Sequence, residues 1–173
     1  MVTGSPFAGI VITGLGLASS AGCDPEAAVG FMRRGVPGIR RVRVDDCLDV
    51  MMGQVDTLPG ELAGKDRALA FARWASVKAL KQAGINASDL DPGRVTVVAG
   101  SSKGRIGNFV PPDCTARLSA FDVRSFPGDT LGLEVAMALG LGGSTVLNYP
   151  AACATGIVCL IRAMSALQHF EAD

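Results

Sequence analysis

The segment Pro150-Ala151-Ala152-Cys153-Ala154-Thr155-Gly156 is where this sequence can do chemistry. An apolar run, Thr145 to Tyr149, ends just before it, and an almost unbroken apolar stretch, Ala154 to Phe170, follows. Strand, turn and helix in that order deliver a cysteine to the first turn of a buried helix. Free N–H groups and the positive end of the helix dipole there stabilise a thiolate and an adjacent oxyanion. The chemistry this suggests is attack of sulfur on a carbonyl. Ala152, Ala154 and Gly156 are small and leave room for a substrate to approach. A buried, inert thiol is the competing reading of any cysteine. Cys159, further along the same helix, has no free N–H groups to exploit and reads as packing.

The other reactive side chains narrow the options. His169 is the single histidine, so a metal site of several imidazoles is excluded, as is any mechanism that needs two histidines from this chain. It lies about 24 Å along the helix from Cys153, at 1.5 Å per residue, and cannot serve as its base. Gly14-x-Gly16-x-x-Ser19 is similar to a dinucleotide fingerprint, but its third glycine is missing. Arg33 and Arg34 stand where an acidic residue belongs, which favours a tight strand-to-helix turn. Gly100 to Gly104 contains a Lys but lacks the span and ending of a phosphate loop, and reads as a turn near a site. Lys65 and Arg67 open the long helix as a small basic patch, for which an ordinary solvated face is the favoured competing reading.

The elements that must position Cys153 are legible from their punctuation. Ile10 to Thr13 is an apolar, β-branched run that predicts a first strand buried on both faces. Asp24 as cap and Pro25 at the first helical position predict a helix over Glu26 to Arg34 that stops at Gly35. Short strands are expected near Arg40 to Val44 and Met51 to Val55. Asp66 to Ala83 is a helix closed by Gly84, with a loop over Asn86 to Gly93. Val95 to Ala99 is a second buried strand. Leu131 to Leu139 is a helix, and Thr145 to Tyr149 a third strand. Ile157, Val158, Leu160, Ile161, Met164, Leu167 and Phe170 cover every face of the last helix, which therefore belongs at the centre of a protein. Alternating strands and helices with buried strands give a layered α/β architecture and a mainly parallel sheet.

Composition agrees. The 173 residues are 49% hydrophobic and 18% charged, against roughly 25% charged in ordinary domains, and mean hydropathy is +0.35. Sixteen Lys+Arg offset 16 Asp+Glu, which argues against nucleic acid or an anionic membrane surface as a partner. The five cysteines, Cys23, Cys47, Cys114, Cys153 and Cys159, form no C-x-x-C pair, and their odd number predicts a reducing, cytoplasmic setting. No stretch approaches the roughly 20 apolar residues that span a bilayer.

Several ordered motifs resemble the N-terminal part of the β-ketoacyl-acyl-carrier-protein synthases, the elongating condensing enzymes with the thiolase fold. They are Ile10 to Gly16 with Ser19, the helix ending at Gly35 with Gly38-Ile39, Asp66-Arg67 opening a helix that ends Gln82-Ala83-Gly84, Val95 to Ser101, and Ala152-Cys153-Ala154-Thr155-Gly156. The resemblance covers roughly residues 7 to 173. It departs at Pro150, which replaces a hydroxyl residue, and at Gly143-Ser144, which lacks the usual proline.

The resemblance implies a thiolase-like layered α/β fold, here an incomplete N-terminal half over residues 1–173. It implies that Cys153 accepts an acyl group as a thioester from the phosphopantetheine arm of an acyl carrier protein, with the Cys153 backbone N–H as one oxyanion donor. Lys65 and Arg67 then become carrier-protein docking residues. No metal and no cofactor of the chain's own is implied. The two histidines for malonyl decarboxylation would come from a complementary ketosynthase C-terminal polypeptide, in a dimer of heterodimers. The alternatives are a non-catalytic scaffold subunit that contacts a carrier protein or a complete synthase, and an isolated fragment of a longer enzyme.

Overall fold

The computed structural model describes residues 9–45, 48–55, 67–102, 130–169 and 172. These fall into two compact units, Thr13–Ile85 on the one hand and Asn86–Asp173 with Met1–Ile12 on the other.

In the Thr13–Ile85 unit, helix α1 (Pro25–Arg33) begins where its residues require. The Asp24 carboxylate accepts the N–H groups of Glu26 and Ala27 at 2.9 and 3.1 Å, a cap worth about 1 kcal/mol. Pro25 takes the position where a missing N–H costs nothing. Strands β1 (Arg40–Asp45) and β2 (Leu48–Met52) pair as an antiparallel hairpin in the register Val42↔Val50. Arg43 sits opposite Asp49 and pairs with it at 2.7 Å.

Helix α2 (Arg67–Ala83) ends in a Schellman motif. Gly84 takes φ +71°, its N–H donates to the Lys81 carbonyl, and the Ile85 N–H reaches back to Leu80 at 3.0 Å. The Trp74 indole N–H donates to the Cys23 carbonyl at 3.0 Å and ties α2 to the loop ahead of α1.

Gly14 and Gly16 lie against the backbone of α2. A Cβ on Gly14 would stand 2.1 Å from the Ala79 carbonyl oxygen, and one on Gly16 would stand 1.7 Å from that of Ala75. Ala75 and Ala79 are four apart and share one stripe of the helix. The Leu15 N–H, between the two glycines, donates to the Gln82 side chain. The glycines are therefore spent on helix packing, in line with the structural rather than the dinucleotide reading of the motif.

In the second unit, β3 (Thr96–Ala99) and β4 (Thr145–Asn148) run parallel, with Val97 opposite Val146 and Ala99 opposite Asn148. Helix α3 (Leu131–Ala138) packs on both strands, and helix α4 (Thr155–Gln168) packs on β3. Val135, Ala136, Leu141 and Ala166 are buried as its core. Gly132 lets α3 come close: its N–H donates to the Asn148 side-chain oxygen at 3.0 Å.

One expectation changes. Residues 10–13 form no strand, and Val11 and Ile12 are exposed. A β-branched run becomes a strand only beside a ladder partner, and none pairs with it among the described residues. The β3–β4 pair is parallel as expected, and among the described residues an antiparallel hairpin accompanies it, because residues 40 to 52 are close enough in sequence to close one.

Candidate active site

From Asn148, at the end of β4, the chain passes Tyr149, Pro150 and Ala151 into a 3-10 turn, Ala152–Ala154, that carries Cys153. The α-helix proper starts at Thr155, so the cysteine occupies the turn ahead of the helix rather than its first α-helical turn. The Ala154 N–H donates to Ala151 O at 2.9 Å, and the Thr155 N–H closes onto Ala152 O. Ala152 takes φ +47°, the left-handed region that a residue with a Cβ rarely adopts. This bend turns the chain sharply between strand and helix, and the Cys153 side chain is exposed.

No side chain caps the N-terminus of α4. The Thr155 N–H is taken by Ala152 O, and no side chain competes for the positive end of the helix dipole next to Cys153. An N–H and a helix dipole so placed can stabilise a developing oxyanion.

Two residues that the sequence analysis named only as parts of longer segments, with no role of their own, build the turn. Thr155 is buried; its hydroxyl donates to Ala152 O at 2.8 Å and accepts the Ala151 N–H at 3.0 Å. Gly100, just after β3, leaves the space that this turn fills. A Cβ there would meet the Thr155 methyl at 2.3 Å, the Cys159 sulfur at 2.7 Å and the Tyr149 carbonyl oxygen at 2.8 Å. The available signals were a threonine at the helix start within back-bonding reach, and a glycine at a strand end.

Cys159 is half-buried against this corner, and burial pushes its thiol up from its ordinary value. It packs, as expected. At pH 8, iodoacetamide is expected to alkylate Cys153 faster than Cys159, because a raised pKa lowers the thiolate fraction at any given pH. The difference should narrow as pH rises; equal rates at pH 8 would contradict the environments described. Peptide mapping by mass spectrometry reads both.

His169 caps the far end of α4, where its Nδ1 lies 2.8 Å from the Ser165 carbonyl. Arg162 donates through Nε to the Tyr149 hydroxyl at 2.8 Å and ties α4 to the segment that leads into the cysteine turn. In the other unit, the Arg67 guanidinium donates to the Val55 carbonyl and lies 5.2 Å from the Phe71 ring centroid, with the residue exposed. Lys65, Cys47, Cys114 and Phe170 lie outside the described residues, as do Lys103 and Gly104. Among the described residues, no group of three or more His, Cys, Asp or Glu could hold a metal ion. None of their helices is long and apolar enough to cross a membrane.

The family model for the β-ketoacyl synthase N-terminal domain matches residues 8–173. The chain belongs to the β-ketoacyl synthase family. Among solved structures, this synthase domain is similar to a chain of the AntDE:AntF complex, described as a type II polyketide synthase acyl-carrier protein with its ketosynthase bound to the hexaketide. The identity is 23% and the TM-score 0.69, with 94% of this chain and 42% of that chain covered. The synthase domain thus spans less than half of that chain's length. No curated protein matches it. The layered α/β fold expected from the sequence is that of the N-terminal half of a ketosynthase.

Proposed function

We propose that Cys153 is the acyl-accepting nucleophile of a condensing enzyme to which this β-ketoacyl synthase domain contributes. The observation that carries the reading is an exposed thiol on a tight turn at the uncapped N-terminus of α4. The Cys153 thiolate attacks the carbonyl of an acyl thioester borne on a carrier protein's phosphopantetheine arm. The Cys153 N–H is one donor to the tetrahedral oxyanion. Attack forms the bond from Cys153 sulfur to the acyl carbon, and collapse of the tetrahedral oxyanion restores the carbonyl and breaks the donor's carbon–sulfur bond. The arm leaves as a thiol, taking up the proton that Cys153 lost. A malonyl thioester then loses carbon dioxide, and its carbanion attacks the Cys153 thioester. The new carbon–carbon bond displaces the thiolate.

The resemblance assigns decarboxylation to two histidines. This sequence has His169 alone, at the opposite end of α4 from Cys153. Both histidines therefore come from outside these 173 residues, as a complementary ketosynthase C-terminal polypeptide would supply them. An exposed apolar face on α4 supports such a covering partner. Ile157, Leu160 and Ile161 are 65%, 58% and 59% exposed, and burying each contributes roughly 1.5–3 kcal/mol.

Lys65 and Arg67 are proposed to meet the acidic carrier protein, and a dimer of heterodimers is the assembly that symmetry favours. The similar structure holds a ketosynthase together with an acyl-carrier protein, which supports a carrier partner for this domain.

The test is acylation. The chain, with and without any copurifying polypeptide, is incubated with acyl carrier protein loaded with an acyl group, and the label is mapped by mass spectrometry. We expect label on Cys153 from the chain alone, and condensation with malonyl carrier protein only when the histidine-bearing polypeptide is present. Absence of label on Cys153 even in the complex would overturn the reading and leave a scaffold subunit.

A further inference from the structure

The Thr155 hydroxyl has both its donor and its acceptor capacity engaged on the two residues that precede Cys153. It accepts the Ala151 N–H at 3.0 Å and donates to the Ala152 carbonyl at 2.8 Å, the same carbonyl that receives the Thr155 N–H. The residue between these two contacts is Ala152, at φ +47°. Left-handed backbone in a residue with a Cβ persists only where the surroundings over-determine it. Here the only side-chain brace among the turn's hydrogen bonds is the buried Thr155 hydroxyl, which adds to the backbone bonds of the turn. Its methyl faces Gly100, where a Cβ would approach it to 2.3 Å. A β-branched side chain is stiff at χ1, so the methyl contact holds the hydroxyl in bonding position. Serine would keep the hydroxyl without the stiff rotamer, and valine would keep the shape without the bonds.

Within the turn, the Ala151 and Ala152 carbonyls are both occupied, by the Ala154 N–H and by Thr155. The hydrogen bonds of the turn leave the Cys153 N–H unused. The clamp therefore fixes the plane of the peptide that bears this N–H and the direction in which the sulfur leaves the chain.

We propose that Thr155 is a positioning residue for Cys153, its hydroxyl clamping Ala152 in the left-handed conformation and thereby aiming the Cys153 sulfur and N–H at the same carbonyl. The proposal rests on the reading of Cys153 as the acyl acceptor, and its test separates the two. Thr155→Val and Thr155→Ser are compared with the parent chain, and Thr155→Ala with Thr155→Ser as a smaller pair that also differs by the hydroxyl. A butyryl N-acetylcysteamine thioester is the acyl donor and iodoacetamide the alkylating probe. Peptide mapping follows Cys153, with Cys23 as the internal control, and hydrogen exchange follows the Ala151 amide.

Thr155→Val is expected to slow acylation of Cys153 by about a hundredfold, the order that a 1 Å misplacement of a reacting group costs. It should also shift the pH profile of Cys153 alkylation, leave Cys23 unchanged and lose exchange protection at Ala151. Thr155→Ser should restore most of the rate and the protection, and should exceed Thr155→Ala by a similar factor. Equal rates in Thr155→Val and the parent would overturn the proposal. So would equal slowing in Thr155→Val and Thr155→Ser, or equal rates in the Ala and Ser variants, since each would make the methyl rather than the hydroxyl responsible. If the parent chain is not acylated but Thr155→Val still alters Cys153 alkylation and Ala151 exchange, the acyl-transfer reading fails and the clamp stands. If neither alkylation nor exchange responds, the clamp fails.

Discussion

Replacing Gly100 with alanine is expected to slow acylation of Cys153 by about a hundredfold while most of the chain stays folded. The backbone at Gly100 is not in the left-handed region, so the cost is steric. The added Cβ would stand 2.3 Å from the Thr155 methyl, 2.7 Å from the Cys159 sulfur and 2.8 Å from the Tyr149 carbonyl oxygen. None of the three can yield cheaply. The Thr155 side chain is held by its own hydrogen bonds. Cys159 belongs to α4, and the Tyr149 carbonyl is backbone at the end of the β4 run. Overpacking of this kind costs roughly 1–3 kcal/mol, and it falls on the corner that holds the cysteine turn.

A second substitution identifies which contact matters. Thr155→Ser removes the methyl nearest the new Cβ and keeps the hydroxyl. In the Gly100→Ala background it should therefore recover part of the acylation rate, although in the parent chain it is neutral or slightly harmful. Neighbouring sites that share a contact couple in this way by about 0.5–3 kcal/mol. Purely additive losses in the double variant, read by the rate of thioester formation on Cys153, would mean that Gly100 and Thr155 act separately.

What the sequence revealed, and what it hid, divides by range. Asp24, Pro25 and Gly35 bound α1 to within a residue because caps and stops are local contacts. Gly84 closes α2 for the same reason. Cys153 stood out because a strand, a small-residue turn and an apolar helix are contiguous in sequence. The expected strand at residues 10–13 failed because strands need partners, and a partner is a non-local fact. The left-handed Ala152 was hidden because alanine carries no signal for it; only the Thr155 hydroxyl, three residues on, explains how it is held. Gly100 was hidden more deeply, since what fills its missing side chain lies about fifty residues away. The all-apolar surface of α4 was legible as composition, but which face stays uncovered was not: Ile157, Leu160 and Ile161 are exposed.

The largest loss of stability is expected from Gly16→Ala. The new Cβ would stand 1.7 Å from the Ala75 carbonyl oxygen, 2.6 Å from its carbonyl carbon and 2.9 Å from its Cα. These are main-chain atoms of a 17-residue helix, so relief requires moving α2 or peeling the 14–16 segment away from it. Gly14 makes the same approach one turn along the helix, 2.1 Å from Ala79 O, and would be carried with it. The cost should reach or exceed the upper end of the overpacking range, about 3 kcal/mol. At about 2–4 °C per kcal/mol for a chain of this size, the melting temperature should fall by roughly 6–12 °C. Gly156→Ala is the control, because nothing lies within 4 Å of its added Cβ and alanine is the better helix former by about 1 kcal/mol. Thermal unfolding by circular dichroism should show Gly16→Ala far below the parent and Gly156→Ala at or above it. A Gly16→Ala variant that melts with the parent would mean that the Gly-x-Gly segment does not lie on α2, and would reopen a ligand-binding reading of the motif.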